Sequence, residues 1–251
     1  MKGDYSLKIF KYSLKEDNPI VMVIGDAHIG EEEANIPSLI KYLEKADYII
    51  LNGDIMNTAT KQSVSFQYGN SPQADLDKAV EVLKPYKDKI LCVIEGNHEH
   101  RVAKEVGISL TQMMCLSLGI VDRYAGSNAY VFLNVGAKQV SYKIFSTHGY
   151  GGGRAIGGKA NNLERLASIV DADIYVMSHT HQPLSFQQDY IRPNMKKHTL
   201  QQITKHFINT GSFLEYGGYG ETFGYKPATI MTPYLILSGT SKHVRVIEEE
   251  L

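Results

Sequence analysis

Five short strand-like runs in the first 181 residues, four of them apolar, each end in a side chain able to hold a metal ion, and this pattern limits the fold more than any other feature. Residues 19–25 (PIVMVIG) lead into Asp26-Ala27-His28, and residues 48–51 (YIIL) into Asn52-Gly53-Asp54. Residues 89–94 (KILCVI) lead into Gly96-Asn97-His98-Glu99, residues 139–146 into Thr147-His148-Gly149, and residues 173–177 into Ser178-His179-Thr180-His181. Continuous apolar runs of this length belong to strands covered on both faces. In open α/β sheets the carboxyl ends of such strands are where ligands gather. Asp26/His28 and His179/His181 are i, i+2 pairs, so extended backbone carried that far would aim both members of each pair to one side.

Between the runs the period changes. Acids at 31–33 followed by Ile36, Leu39, Ile40 and Leu43 predict a helix over 31–46. Further helices are expected over 73–86, from the third run to about Leu118, and over 161–170. Residues 129–135 and 139–146, separated by Gly136-Ala137-Lys138, predict an antiparallel hairpin. Shorter strands are expected at 206–209, 234–237 and 243–248. With no repeat, no low-complexity tract and no Gly/Ser- or Pro-rich linker, the 251 residues read as one α/β domain, parallel at its centre and antiparallel in its second half.

Composition excludes several classes. An apolar fraction of 43% and a charged fraction of 21% are ordinary for a globular chain. A net charge of -1 leaves no global basic footprint for duplex nucleic acid, so any such contact has to be local. No run approaches the roughly 20 apolar residues of a membrane span, and the N-terminus has no secretory pattern. Two cysteines, Cys92 and Cys115, make no disulfide framework, and Cys92 lies inside an apolar run; a reduced, cytoplasmic protein is expected.

The residues at the five strand ends comprise two carboxylates (Asp26, Asp54), one amide (Asn97) and four imidazoles (His28, His148, His179, His181). Without a thiolate nearby, a cysteine-type structural zinc site is excluded. Mixed oxygen and imidazole donors suit Mn²⁺, Fe, Zn²⁺ or Ni²⁺ better than Ca²⁺. Seven ligands exceed what one such ion accepts and divide over two if one carboxylate bridges. Any one of these motifs arises by chance; the information lies in all five occurring in order, each after a strand. His100, His198, His206 and His243 carry no such context.

In this order, D-x-H, G-D, G-N-H-[DE], H and H-x-H, the chain resembles the calcineurin-like metallophosphoesterase superfamily. The resemblance implies a single-domain, four-layer αββα sandwich of two mixed sheets flanked by helices. It implies that Asp26, His28 and His181 hold one metal, that Asn97, His148 and His179 hold the other, and that Asp54 bridges them. Manganese is the first expectation for both ions. The implied reaction is hydrolysis of a phosphate ester by a metal-bridging hydroxide, with His98 as the general acid that protonates the leaving alkoxide. Two positions depart from the pattern: Ser178 replaces the usual Gly, and Asn57 replaces the acid that follows G-D by three residues in the Ser/Thr protein phosphatases, whose Arg is also missing. A protein phosphatase is therefore disfavoured, and either Glu99 or the Asn57 carbonyl is left to orient His98.

Residues 149–159 (GYGGGRAIGGK) nearly match a nucleotide-binding P-loop. However, Ala160 stands where a hydroxyl is needed, and that reading leaves the other four motifs without a role. Two readings stand for this loop: it brings Arg154 or backbone N–H groups to substrate phosphate, or it is a turn that lets the chain pass close to the metals. Arg101 is a second phosphate-contact candidate. Phe213, Tyr216, Tyr219, Phe223 and Tyr225 interleave with Gly and suit packing or a homo-oligomer contact, or else stacking on a base. The expected substrate is a phosphodiester, a nucleotide or single-stranded nucleic acid. A DNA nuclease of the same superfamily and a non-catalytic scaffold are the alternatives.

Overall fold

The computed structural model describes residues 7–61, 63, 66, 71–151, 153, 155–218, 221, 226–227 and 229–251. Among them, twelve strands form two mixed six-stranded sheets. The first sheet runs β12(Val244–Ile247), β11(Tyr234–Leu237), β2(Ile20–Ile24), β3(Tyr48–Asn52), β4(Ile90–Ile94), β5(Tyr124–Gly126). The second runs β1(Lys8–Leu14), β6(Asn128–Val135), β7(Val140–Thr147), β8(Ile174–Met177), β10(Thr199–Asn209), β9(Leu184–Asn194). Strands β2 to β5 are parallel, with β11 and β12 added antiparallel. In the second sheet the β6–β7 hairpin is antiparallel, as its short loop predicts, while β8 is parallel to both β7 and β10.

Alternation explains why the strands are apolar throughout. Val21, Val23, Ile50, Cys92 and Ile94 point between the sheets, where they meet Val131, Leu133, Tyr142, Ile144, Ile174, Val176 and Ile208. Their neighbours Met22, Ile24, Ile49, Leu51 and Val93 point outward under α1(Ile36–Lys45), α2(Pro72–Leu83), α3(Asn97–Val106) and α4(Leu110–Leu118). On the far side, Tyr130, Phe145, Tyr175, Met177 and Phe207 are covered by Leu163 of α5(Ile156–Arg165) and by Leu166. The result is the four-layer, single-domain sandwich, with both faces of both sheets buried at the centre.

Several boundaries differ from expectation. Helix α1 begins only after Asn35, whose side chain accepts the Ser38 N–H at 2.9 Å as an N-cap. The acids before it lie in a turn tied to the β3 loop by Ile29 N–H donating to the Ile55 carbonyl, 2.8 Å. The helix expected to reach Leu118 is two: Gly107, left-handed at φ 74°, ends α3, and Ser109 caps α4. Helix α5 starts at Ile156, five residues early, because the glycines at 157 and 158 are accommodated in its exposed first turn. Strands β1 and β9 and the outer half of β10 were not expected. Their residues are mostly exposed or half-buried, so they carry no buried-strand signature.

Candidate metal centre

The two sheets present their strand ends to a single pit. Asp26 and His28 follow β2, Asp54 follows β3, Asn97 and His98 open α3 after β4, His148 follows β7, and His179 and His181 follow β8. Two glycines make the approach possible. Gly53 has φ +85°, and a Cβ there would lie 2.6 Å from His148 Nδ1; a Cβ on Gly96 would lie 2.1 Å from the Asp54 backbone nitrogen. Any side chain at either position would push the strand ends apart.

The backbone at the pit is unusual. Asp26, His28, Asp54, His179 and His181 all have positive φ, between 45° and 69°, a conformation uncommon for residues other than glycine. The extended geometry expected for the two i, i+2 pairs is therefore not found. His179 and His181 diverge: His179 Nδ1 lies 2.7 Å from Asn97 Oδ1, whereas His181 Nε2 lies 3.1 Å from His28 Nε2 and 3.5 Å from Asp26 Oδ1. One H-x-H turn thus serves two donor groups. Asp26, His28 and His181 form one; Asp54, His148 and His179 form another, each with ligand atoms within 4.8 Å of one another. Asn97 Oδ1 joins the second at 3.0 Å from His148 Nε2. Asp54 is also grouped with His28 and His98.

Hydrogen bonds fix how these groups present themselves. His148 Nδ1–H donates to the Asn52 carbonyl at 2.9 Å, which turns Nε2 toward Asp54 Oδ2, 3.2 Å away. Asp26 Oδ2 accepts the His179 backbone N–H at 2.8 Å, but its Oδ1 is buried with no donor among the described residues. An orphaned carboxylate oxygen in the interior is costly. The His28 and His181 Nε2 atoms face each other at 3.1 Å, which requires a shared proton or a shared cation. A divalent ion among these three side chains answers both demands, so the donor set fits a metal.

Charge in the pit is coupled. Burial drives His28 well below the usual imidazole range, with His98 and His181 adding to the effect. Burial opposes a charged His148, but the Asp54 and Asp26 carboxylates raise it to about 10. Burial likewise works to raise Asp54, and His148 and His98 outweigh it, holding that carboxyl well below its usual range. The same two carboxylates that favour a proton on His148 would favour a metal ion there, and binding one would displace that proton.

His98 faces the pit edge-on to His28, ring centroids 4.4 Å apart, with Nε2 3.9 Å from Asp54 Oδ2. Its Nδ1–H is shared between the backbone and side-chain carbonyls of Asn57, at 3.1 and 3.2 Å. Of the two orienting candidates, Asn57 is the one in contact. Glu99 is turned the other way, accepting N–H groups of Asp54, Met56 and Gly96 at 3.1, 2.9 and 3.0 Å. Burial lowers His98 to about 4, against the attraction of Asp54 and with Arg101 adding to the shift. Arg101, on α3, donates to Ser63 Oγ at 2.7 Å. Arg154, Tyr219, Phe223 and Tyr225 lie outside the described residues. Phe213 is a packing residue, buried edge-to-face on Tyr42, with its N–H on the Asp26 carbonyl.

Sequence reading missed Asn52. It is fully buried, and its side chain donates to the Thr147 carbonyl (2.8 Å) and Ser178 Oγ (2.6 Å) while accepting from Ser146 Oγ (2.8 Å). Thr210 Oγ1 also donates to Ser178 Oγ, at 2.8 Å. Ser178 is therefore a working part of a polar clip between the sheets, directly beneath the pit. The available signal was a polar residue closing an otherwise apolar strand.

Residues 20–183 match the family model for calcineurin-like phosphoesterases. The chain belongs to that family. Among curated proteins, none matches this calcineurin-like phosphoesterase with significance. Solved structures similar to it include YfcE, a phosphoesterase from E. coli, at 18% identity over 91% of this chain and 98% of that one, with a TM-score of 0.47. A predicted phosphoesterase of Streptococcus pneumoniae TIGR4 is 17% identical over 92% and 98%, TM-score 0.37. Vps29 of Entamoeba histolytica, complexed with Zn²⁺, is 14% identical over 91% and 98%, TM-score 0.43. At these identities the likeness does not extend to activity.

Proposed function

We propose that this calcineurin-like phosphoesterase is a two-metal phosphodiesterase acting on nucleotides or single-stranded nucleic acid. The observation that carries the two-metal reading is Asp54, which shares one donor group with His148 and His179 and another with His28 and His98. On this reading Asp26, His28 and His181 hold one ion, Asn97, His148 and His179 the second, and Asp54 both; Mn²⁺ is the first candidate, ahead of Fe, Zn²⁺ and Ni²⁺. When bound, the ions supply Lewis acidity, making water a nucleophile at neutral pH and neutralising phosphoryl oxygens.

The chain's own residues do the rest. Asn52 and Asn57 fix the ring orientations of His148 and His98 through their carbonyls. With Nδ1–H committed to Asn57, the other nitrogen of His98 is the one that delivers a proton to the departing alkoxide. Burial favours the neutral ring, and the negative charge of a bound phosphate ester would favour the protonated form that this role needs. Arg101 stands on the α3 side of the pit as a contact for phosphoryl oxygen. The diester preference rests on Asn57 and the missing motif arginine, which set this chain apart from the protein phosphatases.

The test is reconstitution with Mn²⁺ and assay on an aryl monoester, an aryl diester, a cyclic nucleotide and single-stranded DNA. Two equivalents of metal and fastest turnover of a diester are expected. Two bound metals with no turnover of any substrate would sink the catalytic reading in favour of a scaffold. In the same assay, His98→Gln should retain both metals and lose about 10²- to 10⁴-fold on alkyl leaving groups, with a smaller loss on p-nitrophenyl esters, which leave without a proton.

A further inference from the structure

The glycine-rich segment after His148 delivers a cation that the metal-site reading does not use. Helix α5 opens at Ile156 with no side-chain cap, and Lys159 in its first turn reaches across to the H-x-H turn, where its Nζ donates to the Thr180 carbonyl at 3.0 Å. Thr180 is the residue between His179 and His181, and its hydroxyl is held in turn by Asn209 Nδ2 at 2.8 Å. Lys159 is half-buried, and among the described residues it makes no ion pair. Burial lowers it from the usual lysine range.

Among the described residues its hydrogen bond to the Thr180 carbonyl uses one of three donors, and partial removal from water without a counter-charge is unfavourable. Lys205 and Lys143 bond Asp171 at 3.0 and 2.9 Å, and Lys89, half-buried and held by carbonyls alone, fills its three donors with Leu43, Glu44 and Ala46 at 3.3, 3.1 and 2.6 Å. Through its contact with Thr180, Lys159 is tied to the backbone of the turn that carries His179 and His181. Arg101 flanks the pit from the opposite element, α3.

We infer that Lys159 binds a second, non-scissile phosphate of the substrate, which makes the preferred substrate a phosphate ester bearing a further phosphate, such as a 5′-ester of a nucleoside 3′-phosphate or an internal linkage of an oligonucleotide. This rests on the phosphoesterase reading of the pit and narrows its substrate class. The glycines at 149 and 151, with φ 103° and 109°, route the loop so that α5 starts beside the H-x-H turn. A Cβ on Gly151 would meet Asn162 Nδ2 at 2.6 Å, so the loop is fitted to the helix that carries Lys159.

The experiment compares the p-nitrophenyl ester of thymidine 5′-phosphate with and without a 3′-phosphate, using the Mn²⁺-loaded protein. Wild type should favour the 3′-phosphorylated ester. Lys159→Met should lower the ratio of the two kcat/KM values by about tenfold or more, the loss expected for one hydrogen bond to a charged group, and should do so through KM. Lys159→Arg should restore most of the ratio, which a role confined to anchoring α5 on Thr180 would not couple to the second phosphate. An unchanged ratio in Lys159→Met overturns the inference, whatever happens to the absolute rates. Should the wild type hydrolyse neither ester, the phosphoesterase reading falls separately, and calorimetric binding of pyrophosphate against inorganic phosphate still decides Lys159. Loss of the pyrophosphate preference in the variant supports it, and equal preferences in the two proteins overturn it.

Discussion

The pit's two walls are built differently. The first-sheet wall, with Asp26, His28 and Asp54, is almost wholly buried and braced by short loop-to-loop hydrogen bonds: Asp26 N–H to the Gly53 carbonyl and His28 N–H to the Asp54 carbonyl, both 3.0 Å. The second-sheet wall opens beyond His148, which is itself buried: the His181 side chain is 38% exposed and residues 149, 151 and 153 are half-buried or exposed. A buried wall fixes donor positions before any ion arrives, which is what tight metal binding requires. An open wall leaves room for substrate, which is where Lys159 stands. On the proposed function, the buried donors of both walls hold the ions, and the open stretch after His148 is where substrate choice would be made.

The largest expected effect is at the residue common to both donor groups. Asp54→Asn keeps the shape, and an amide oxygen can still accept the His98 N–H that Asp54 Oδ1 now takes at 2.8 Å, but the charge is gone. Metal stoichiometry should fall from two to one or fewer, with kcat/KM down by more than about 10²-fold, since even outer-shell changes cost 10- to 100-fold. Metal analysis beside the kinetics checks this. Full occupancy by two ions in the variant would show that Asp54 is not shared.

Beneath the pit, the comparison becomes one of two polar networks. Around Asn52 every group is buried and uncharged; around Asp171 the network is ionic and half in water, with Lys143, Lys205 and Arg192 on one carboxylate that is 53% exposed. Truncating Asn52 to Ala strands Ser146 Oγ and the Thr147 carbonyl and removes a donor from Ser178 Oγ. Each buried group left unpaired costs roughly 1–3 kcal/mol, so urea unfolding of the metal-free protein should register a loss of about 3 kcal/mol. A loss below about 1 kcal/mol would mean that the clip is not what joins the sheets at this edge.

How much of this was legible follows the same physics. The seven candidate donors, which the structure brings together, were readable because each is a polar break at the end of a central strand, most of them after an unbroken apolar run that marks the strand and its stop. The layering was readable for the same reason. Strand β9 was not: LSFQQDYIRPN lies at the sheet edge with most residues exposed or half-buried, so no burial pattern is imposed on its sequence. Nor was the left-handed backbone at Asp26, His28, His179 and His181, because local propensity argues against it and only the assembled sheets enforce it. Lys159 was seen only as the end of a near-miss P-loop motif. Its meaning depends on α5 being laid against a turn twenty residues further on, which no local pattern encodes.

The smallest expected effect lies in the exposed network and depends on pH. Burial tends to raise Asp171, but hydrogen bonds from Lys143 and Lys205 outweigh it and bring the carboxyl down to about 2. A folded-state value below the unfolded value of about 3.9 means the carboxylate stabilises the fold above about pH 4 and that this contribution disappears as pH falls through about 2. Asp171→Asn should therefore cost less than about 1 kcal/mol at pH 7, as exposed ion pairs do, with the gap between wild type and variant closing on acidification and shrinking with added salt. Unfolding midpoints at pH 7, 4 and 2.5 measure it. A gap that persists at the lowest pH would mean that Asp171 acts through packing or neutral hydrogen bonds, and the two networks would then differ in exposure alone and not in kind.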